Sequence, residues 1–338
     1  MSARWLFRIA SHARHGGGHV SRAAVLARAL KEAGSDVIMQ LDPGSAPAAA
    51  RLSSMGLSCT EDDLPAGGGS ESRAWAGSLV DGYDLLAQTA AQLARWAPPL
   101  VAIDDFLLPP QGAALVVNSA FGLDGKTIDG VPALLGPRFA LVDRAFAQVS
   151  QRDRAAPVSH VLVSMGRLDP DNLTARALQA IKAAGAELRV TVALSAGAPF
   201  RSDVEAHLAG FGGRGRLLID ADNMPALLNE VDLVIGAGGV SLLERVAAGV
   251  PSVTVQLADN QKLFIDGAVA MGVTAAGGTG NVDAMAAALC DLLANPTARE
   301  AMASSAHKAV DGEGAARVAA AMRTLAEGAH PPAREAAS

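Results

Sequence analysis

The chain has little of what marks several functional classes. Aromatic residues make up 4% of its 338 positions, and Tyr83 is its single tyrosine. Only two cysteines occur, Cys59 and Cys290, far apart and without a CxxC pair. That excludes a disulfide-built scaffold and fits a reducing compartment, with both thiols expected to be small buried side chains. The formal net charge is -6 and no block of Lys or Arg is present, which argues against nucleic acid as the main partner. No apolar stretch approaches the roughly 20 residues that cross a bilayer, so no membrane span is expected. The start, Met1-Ser2-Ala3-Arg4, runs straight into a strand-like segment rather than a signal-type apolar run, and a soluble cytoplasmic protein is the expectation.

What is present is an alternation of strand-like and helical segments, the pattern of βαβ units. Strands are expected near Trp5 to Ala10, Asp36 to Leu41, Gly77 to Val80, Leu100 to Ile103 and Ala113 to Val117. After a polar, Arg-rich stretch at Gln148 to Pro157, read as a linker, strands follow near His160 to Ser164, Glu187 to Ala193, Gly215 to Ile219, Val231 to Ile235 and Ser252 to Val255. Helices are expected from His19 and Leu85, and again at Val282 to Leu293, Thr297 to Ala306 and Gly314 to Leu325. Glu61 to Ser70 reads as a mobile surface loop and the tail from Glu327 as disordered. The length allows about two domains. The expected fold is α/β, with two Rossmann-like, doubly wound domains, residues 1–150 and 151–326, facing a shared crevice.

Two glycine-rich crossovers carry the chemistry. Gly16-Gly17-Gly18-His19 joins the first strand to a helix, and consecutive glycines there let backbone approach a ligand beside an imidazole able to accept a proton. In the second half Gly236-Ala237-Gly238-Gly239 leads into a helix carrying Ser241 and Glu244. Ser241 and the loop N–H groups suit a phosphate, and Glu244, one turn further on, can accept from ribose hydroxyls. His12 and His15 lie near His19 but lack a carboxylate or thiolate at ligand spacing, so no metal is expected and both read as solvent-facing. His160 reads as a satisfied, partly buried histidine, and Asp104 and Asp105 as one structural cap and one solvated group. Asp222-Asn223-Met224-Pro225 reads as an N-cap and first helical turn.

With these residues in view, the chain resembles the GT-B group of UDP-sugar enzymes, and within it the UDP-sugar hydrolase family of pseudaminic acid synthesis, PseG. The resemblance runs over nearly the whole length. Phe7-Arg8 and the segment Gly16 to Arg22 resemble the family's first strand and its catalytic histidine, and Leu79-Val80-Asp81-Gly82-Tyr83 resembles its Asp-His-Tyr segment. Gly236 to Pro251 is similar to the nucleotide-binding segment shared with the glycosyltransferase of peptidoglycan synthesis, and Ala258-Asp259-Asn260-Gln261 to the motif closing the sugar end of the site. Two positions depart from the pattern. Gly82 stands where the family has histidine, and Met165-Gly166-Arg167-Leu168-Asp169 replaces a Met-Gly-Gly-x-Asp turn, with Arg167 either serving phosphate or blocking the glycine approach.

The resemblance implies hydrolysis of UDP-2,4-diacetamido-2,4,6-trideoxy-β-L-altropyranose to UDP and free sugar, on a route to flagellin glycosylation. It implies His19 as base, with Tyr83 and Asn260 as further catalytic residues. Gly17, Gly18, Arg22, Gly166, Met224, Gly238, Gly239, Ser241, Glu244 and Gln261 are the implied substrate-binding positions, Met224 near the uracil. Water attack without a carboxylate nucleophile implies inversion at C1, and neither metal nor other cofactor is called for. A GT-B glycosyltransferase using the same nucleotide site is the alternative, and a non-catalytic nucleotide-sugar-binding partner a further one. The sequence leaves the oligomeric state open.

Overall fold

Both faces of the first strand are apolar: Trp5, Leu6, Phe7 and Ile9 are all buried, the pattern of a parallel strand covered by helices on each side. The computed structural model describes residues 2–12, 17–62, 75–150, 152–185 and 187–328. It divides into two units, one of residues up to Leu141 with those from Glu313 onward, the other Val142–Gly312.

The first unit begins β1 (Arg4–Ile9), α1 (Gly18–Glu32), β2 (Asp36–Gln40), α2 (Ala46–Ser54) and β3 (Ser58–Thr60). It continues with β4 (Gly77–Asp81), α3 (Tyr83–Gln88), α4 (Ala90–Trp96), β5 (Leu100–Ile103), β6 (Ala113–Asn118) and β7 (Ala133–Leu135). The seven strands are parallel in the order β3-β2-β1-β4-β5-β6-β7, with Trp5 opposite Val37 on one side and Gly77 on the other.

The second unit holds α5 (Arg144–Ala147), β8 (His160–Ser164), α6 (Leu173–Ala183), β9 (Arg189–Leu194), α7 (Arg201–Ala209), β10 (Gly215–Ile219) and α8 (Met224–Glu230). Then come β11 (Leu233–Ala237), α9 (Val240–Ala247), β12 (Ser252–Val255), α10 (Lys262–Ala270), β13 (Ala275–Ala276), α11 (Val282–Ala294) and α12 (Pro296–Ala309). Its six parallel strands run β10-β9-β8-β11-β12-β13, the doubly wound order with a switch between β8 and β11. Val161, Val163, Val190 and Val192 on the strands pack with Leu178 and Ile181 of α6 and Met285 and Leu289 of α11.

The last helix, α13 (Gly314–Ala326), belongs to the first unit, although the sequence places it in the second half. Val318, Ala319 and Met322 are buried with Leu26 and Leu30 of α1 and with Trp5 and Phe7, so its apolar stripe completes the first core. Adjacency in sequence to α12 hides this. The stretch 148–157, read as a linker, is tied into the second unit in its described part. The buried Arg299 guanidinium donates to the carbonyls of Arg154, Ala155 and Ala156 at 2.9, 3.2 and 2.8 Å, and Ser150 N–H to Asn229 Oδ1 at 3.2 Å. Cys290 is exposed rather than buried. Most of the loop expected at Glu61 to Ser70 and most of the tail from Glu327 lie outside the described residues. Among those residues no helix is long and apolar enough to cross a membrane.

Candidate functional site

In the first unit the carboxyl ends of β4 and β5 meet the amino end of α1, where ligands of doubly wound sheets bind. Gly17 caps α1 and Gly18 opens it, which places His19 and Arg22 one turn apart on the same face. Asp81 is the last residue of β4 and is fully buried. Its Oδ1 lies 2.7 Å from His19 Nδ1, and the Arg22 fork donates through Nε to Oδ2 at 2.7 Å and through Nη2 to Oδ1 at 2.6 Å. The other side of the fork reaches Asp105, just beyond β5, with Nη1 at 2.9 and 3.1 Å from its two oxygens. Tyr83, first residue of α3, donates its hydroxyl to Asp105 Oδ2 at 3.2 Å, and its ring stands edge-on to His19 with centroids 5.1 Å apart.

Burial by itself would raise the Asp81 carboxyl, but the Arg22 charge, the His19 ring and their hydrogen bonds bring it down to about 2. Burial also works against the Arg22 charge, and Asp105 and Asp81 outweigh it, so the guanidinium is held well above its usual value. Burial, seconded by Asp105, pushes the Tyr83 phenol up to about 12, which keeps it a hydroxyl donor at neutral pH. An ionised Asp81 accepts from an N–H, so His19 carries its proton on Nδ1 and its lone pair on Nε2, an assignment made from the hydrogen bond. The result is a buried imidazole held in one tautomer by a carboxylate, able to take a proton.

Arg22, expected to bind substrate, donates to two carboxylates and clamps them together. Asp105, read from the sequence as a solvated group, is exposed and also forms the second jaw of that clamp, and Asp104 fits the structural reading: buried, it accepts from Phe106 N–H at 2.9 Å. Gly82 has φ +151°, and a Cβ there would fall 2.5 Å from that of Ala10. No side chain fits at 82 in this backbone. His160 is satisfied by Thr191 Oγ1 at 2.8 Å and Glu230 O at 3.2 Å. His12 is exposed and His15 lies outside the described residues, among which no group of three His, Cys, Asp or Glu is placed to hold a metal ion.

In the second unit a small cleft is lined by Ser164, Met224, Leu228, Ser241, Glu244 and Arg245. Three of the expected nucleotide residues, Met224, Ser241 and Glu244, therefore share one place. Met224 is the first residue of α8, whose N-cap Asn223 accepts from Ala226 N–H at 3.0 Å, as the sequence indicates. Ser241 lies in the first turn of α9, behind Gly238 and Gly239. Gln261 fixes its own loop by accepting from Leu257 N–H at 2.9 Å, and a Cβ on Gly239 would lie 3.9 Å from its Nε2. Asn260 is exposed beside it. Gly166 follows β8 with φ +96°, and Arg167 is paired with Asp220 at 3.0 Å on the surface rather than folded over the glycine.

Sequence reasoning assigns no role to Arg245, nor to Asp81, which it names only as part of the segment Leu79 to Tyr83. The signal for Asp81 is a carboxylate closing a strand buried along its whole length, and for Arg245 a cation on the apolar stripe of Leu242 and Val246.

No protein-family model matches the chain. It is 36% identical over 171 residues, 48% of the chain and 47% of the relative, to the UDP-N-acetylglucosamine--N-acetylmuramyl-(pentapeptide) pyrophosphoryl-undecaprenol N-acetylglucosamine transferase of Chromobacterium violaceum. The chain spans less than half the length of the curated relatives it matches. Among solved structures, MurG of Acinetobacter baumannii superposes with a TM-score of 0.67 at 16% identity, covering 96% of this chain and 100% of that one. The Staphylococcus aureus MnaA–UDP structure superposes with a TM-score of 0.66 at 13% identity, covering 96% and 97%. The fold is thus that of the GT-B enzymes, two Rossmann-like units with parallel sheets.

Proposed function

We propose that the chain is a GT-B enzyme that takes a UDP-sugar as donor and transfers the sugar to an acceptor hydroxyl. The observation that carries the chemistry is the 2.7 Å contact between His19 Nδ1 and the buried Asp81. As the acceptor oxygen attacks C1, its proton passes to His19 Nε2, the C1–O bond to the diphosphate breaks, and UDP leaves with the electron pair. Asp81 holds the ring in the accepting tautomer and balances the imidazolium that forms. A single displacement of this kind inverts C1. In the second unit the first turn of α9 with Gly238, Gly239 and Ser241 receives the diphosphate, Glu244 the ribose hydroxyls and Met224 the uracil end, with Asn260, Gln261 and Gly166 toward the sugar.

Transfer is preferred to hydrolysis because the relative at 36% identity is a transferase in name. Hydrolysis is the same displacement with water in place of the acceptor. Its support is the resemblance of Leu79 to Tyr83 to the hydrolase segment, together with the position of Tyr83 against His19. The altropyranose substrate and the flagellin route rest on that resemblance alone. UDP release from a panel of UDP-sugars, with and without alcohol and sugar acceptors, tests the reading. Release that rises with an acceptor supports transfer, equal release without one supports hydrolysis, and a chain that binds UDP-sugars but releases UDP in neither condition is a binding protein.

A further inference from the structure

Arg245 is a charged residue in a place made for an apolar one. It is 3% exposed, between Leu243 and Val246 on α9. Its hydrogen bonds all go to neutral oxygens: Nη1 to Ser241 Oγ at 3.2 Å, Nη2 to Ala237 O at 3.0 Å and to Thr254 Oγ1 at 3.1 Å. Its Nε is buried and has no partner among the described residues. Beyond Thr254, the Thr274 hydroxyl lies at 2.6 Å and donates to Ser252 O at 2.9 Å, so a short chain of buried hydroxyls is oriented away from the guanidinium. Space for the head group is provided by Gly236, where a Cβ would fall 2.8 Å from Nη1.

Burial pulls this guanidinium down to about 10, opposed by Glu244 of the same helix. Burying a cation against neutral dipoles is costly unless an anion completes its surroundings. The side chain also lines the cleft that holds Ser241, Glu244 and Met224. We infer that Arg245 is the positioning residue and built-in countercharge of the nucleotide site, fixing the Ser241 hydroxyl from within the helix and adding positive charge behind the turn that receives a nucleoside diphosphate. This rests on the nucleotide reading of the cleft. It assigns to the diphosphate, rather than to the nucleoside, the energy that depends on Arg245.

Calorimetric titration of the full chain with UDP and with uridine tests it, in the wild type and in Arg245→Met and Arg245→Lys. The preference for UDP over uridine should fall about tenfold or more in Arg245→Met while uridine affinity stays within about twofold, and Arg245→Lys should recover part of the preference. An unchanged preference in a folded Arg245→Met overturns the inference. Should that variant not fold, the unmodified chain still decides: with arginine Nε labelled by nitrogen-15, the buried Arg245 Nε–H resonance should shift with UDP and not with uridine, and a resonance indifferent to both overturns it. A wild type that binds neither ligand refutes the nucleotide reading itself. A wild type that binds uridine and UDP equally leaves that reading standing and refutes the role of Arg245.

Discussion

At the scale of single residues, the site in the first unit turns on Asp81. It is fully buried, contacts both His19 and Arg22, and is ionised because they are there. Replacing His19 by Ala removes the proposed base, and replacing Asp81 by Asn frees the ring to adopt the other tautomer. Turnover should fall by roughly a hundredfold or more in each, with UDP affinity unchanged within about twofold. Steady-state rates alongside UDP titrations check this, and near-normal rates in His19→Ala refute the assignment. A second consequence concerns acid. The Asp81 carboxyl is lowered to about 2 in the folded chain, below its unfolded value, so its contribution is complete above about pH 4 and is lost as the pH falls toward 2. Roughly 2 to 3 kcal/mol depends on this group. Urea midpoints should therefore fall more steeply between pH 5 and about pH 2.5 for the wild type than for Asp81→Asn. Parallel falls contradict the ionised, paired state.

At the scale of elements, the turn from β4 into α3 depends on the absence of a side chain at Gly82. Its φ of +151° and the 2.5 Å approach of a built Cβ to Ala10 predict that Gly82→Ala lowers stability by about 2 to 4 kcal/mol, read from urea midpoints. A change under about 0.5 kcal/mol would show that the turn is not constrained in this way. The terminal helix makes a similar demand: Met322 is fully buried among residues of α1 and β1, so Met322→Ala should cost about 2 to 4 kcal/mol. Most strands were legible because both their faces are apolar, as in Leu100–Ile103 and Ser252–Val255, whose bounds match the expectation. Short edge strands were not: Ser58–Thr60 and Ala275–Ala276 hold three and two residues and pair on one side, too few to show a period. In β11 the two glycine-loop residues Gly236 and Ala237 proved to be strand, because they extend the parallel pairing to Thr254 and Val255 of β12. The places of His19 and Ser241 in the first turn of a helix were legible through local patterns of glycine and helix start. Asp81, Asp105 and Arg22 form one cluster across positions as far apart as 83 residues, a proximity that only the sheet order brings about.

At the scale of the whole molecule, one Rossmann-like unit brings His19 together with its carboxylates, the other lines a small cleft with Met224, Ser241 and Glu244, and the carboxyl-terminal helix belongs to the first. This division predicts two separable kinds of defect. Variants of His19 and Asp81 should lose turnover, whereas Ser241→Ala and Glu244→Ala should weaken UDP binding, each by about 0.5 to 2 kcal/mol in titrations. The central claim is displacement at the sugar C1 with UDP as the leaving group. Its most direct test is the bond that breaks when the wild type turns over a UDP-sugar in oxygen-18 water, with the sugar read early by mass spectrometry and NMR and corrected for exchange at the anomeric centre. The account predicts inversion at C1 and unlabelled UDP, with heavy oxygen on the free sugar when water is the acceptor and in neither product when an alcohol is. Heavy oxygen in a phosphate group of the released nucleotide would place the cleavage at a P–O bond and contradict it.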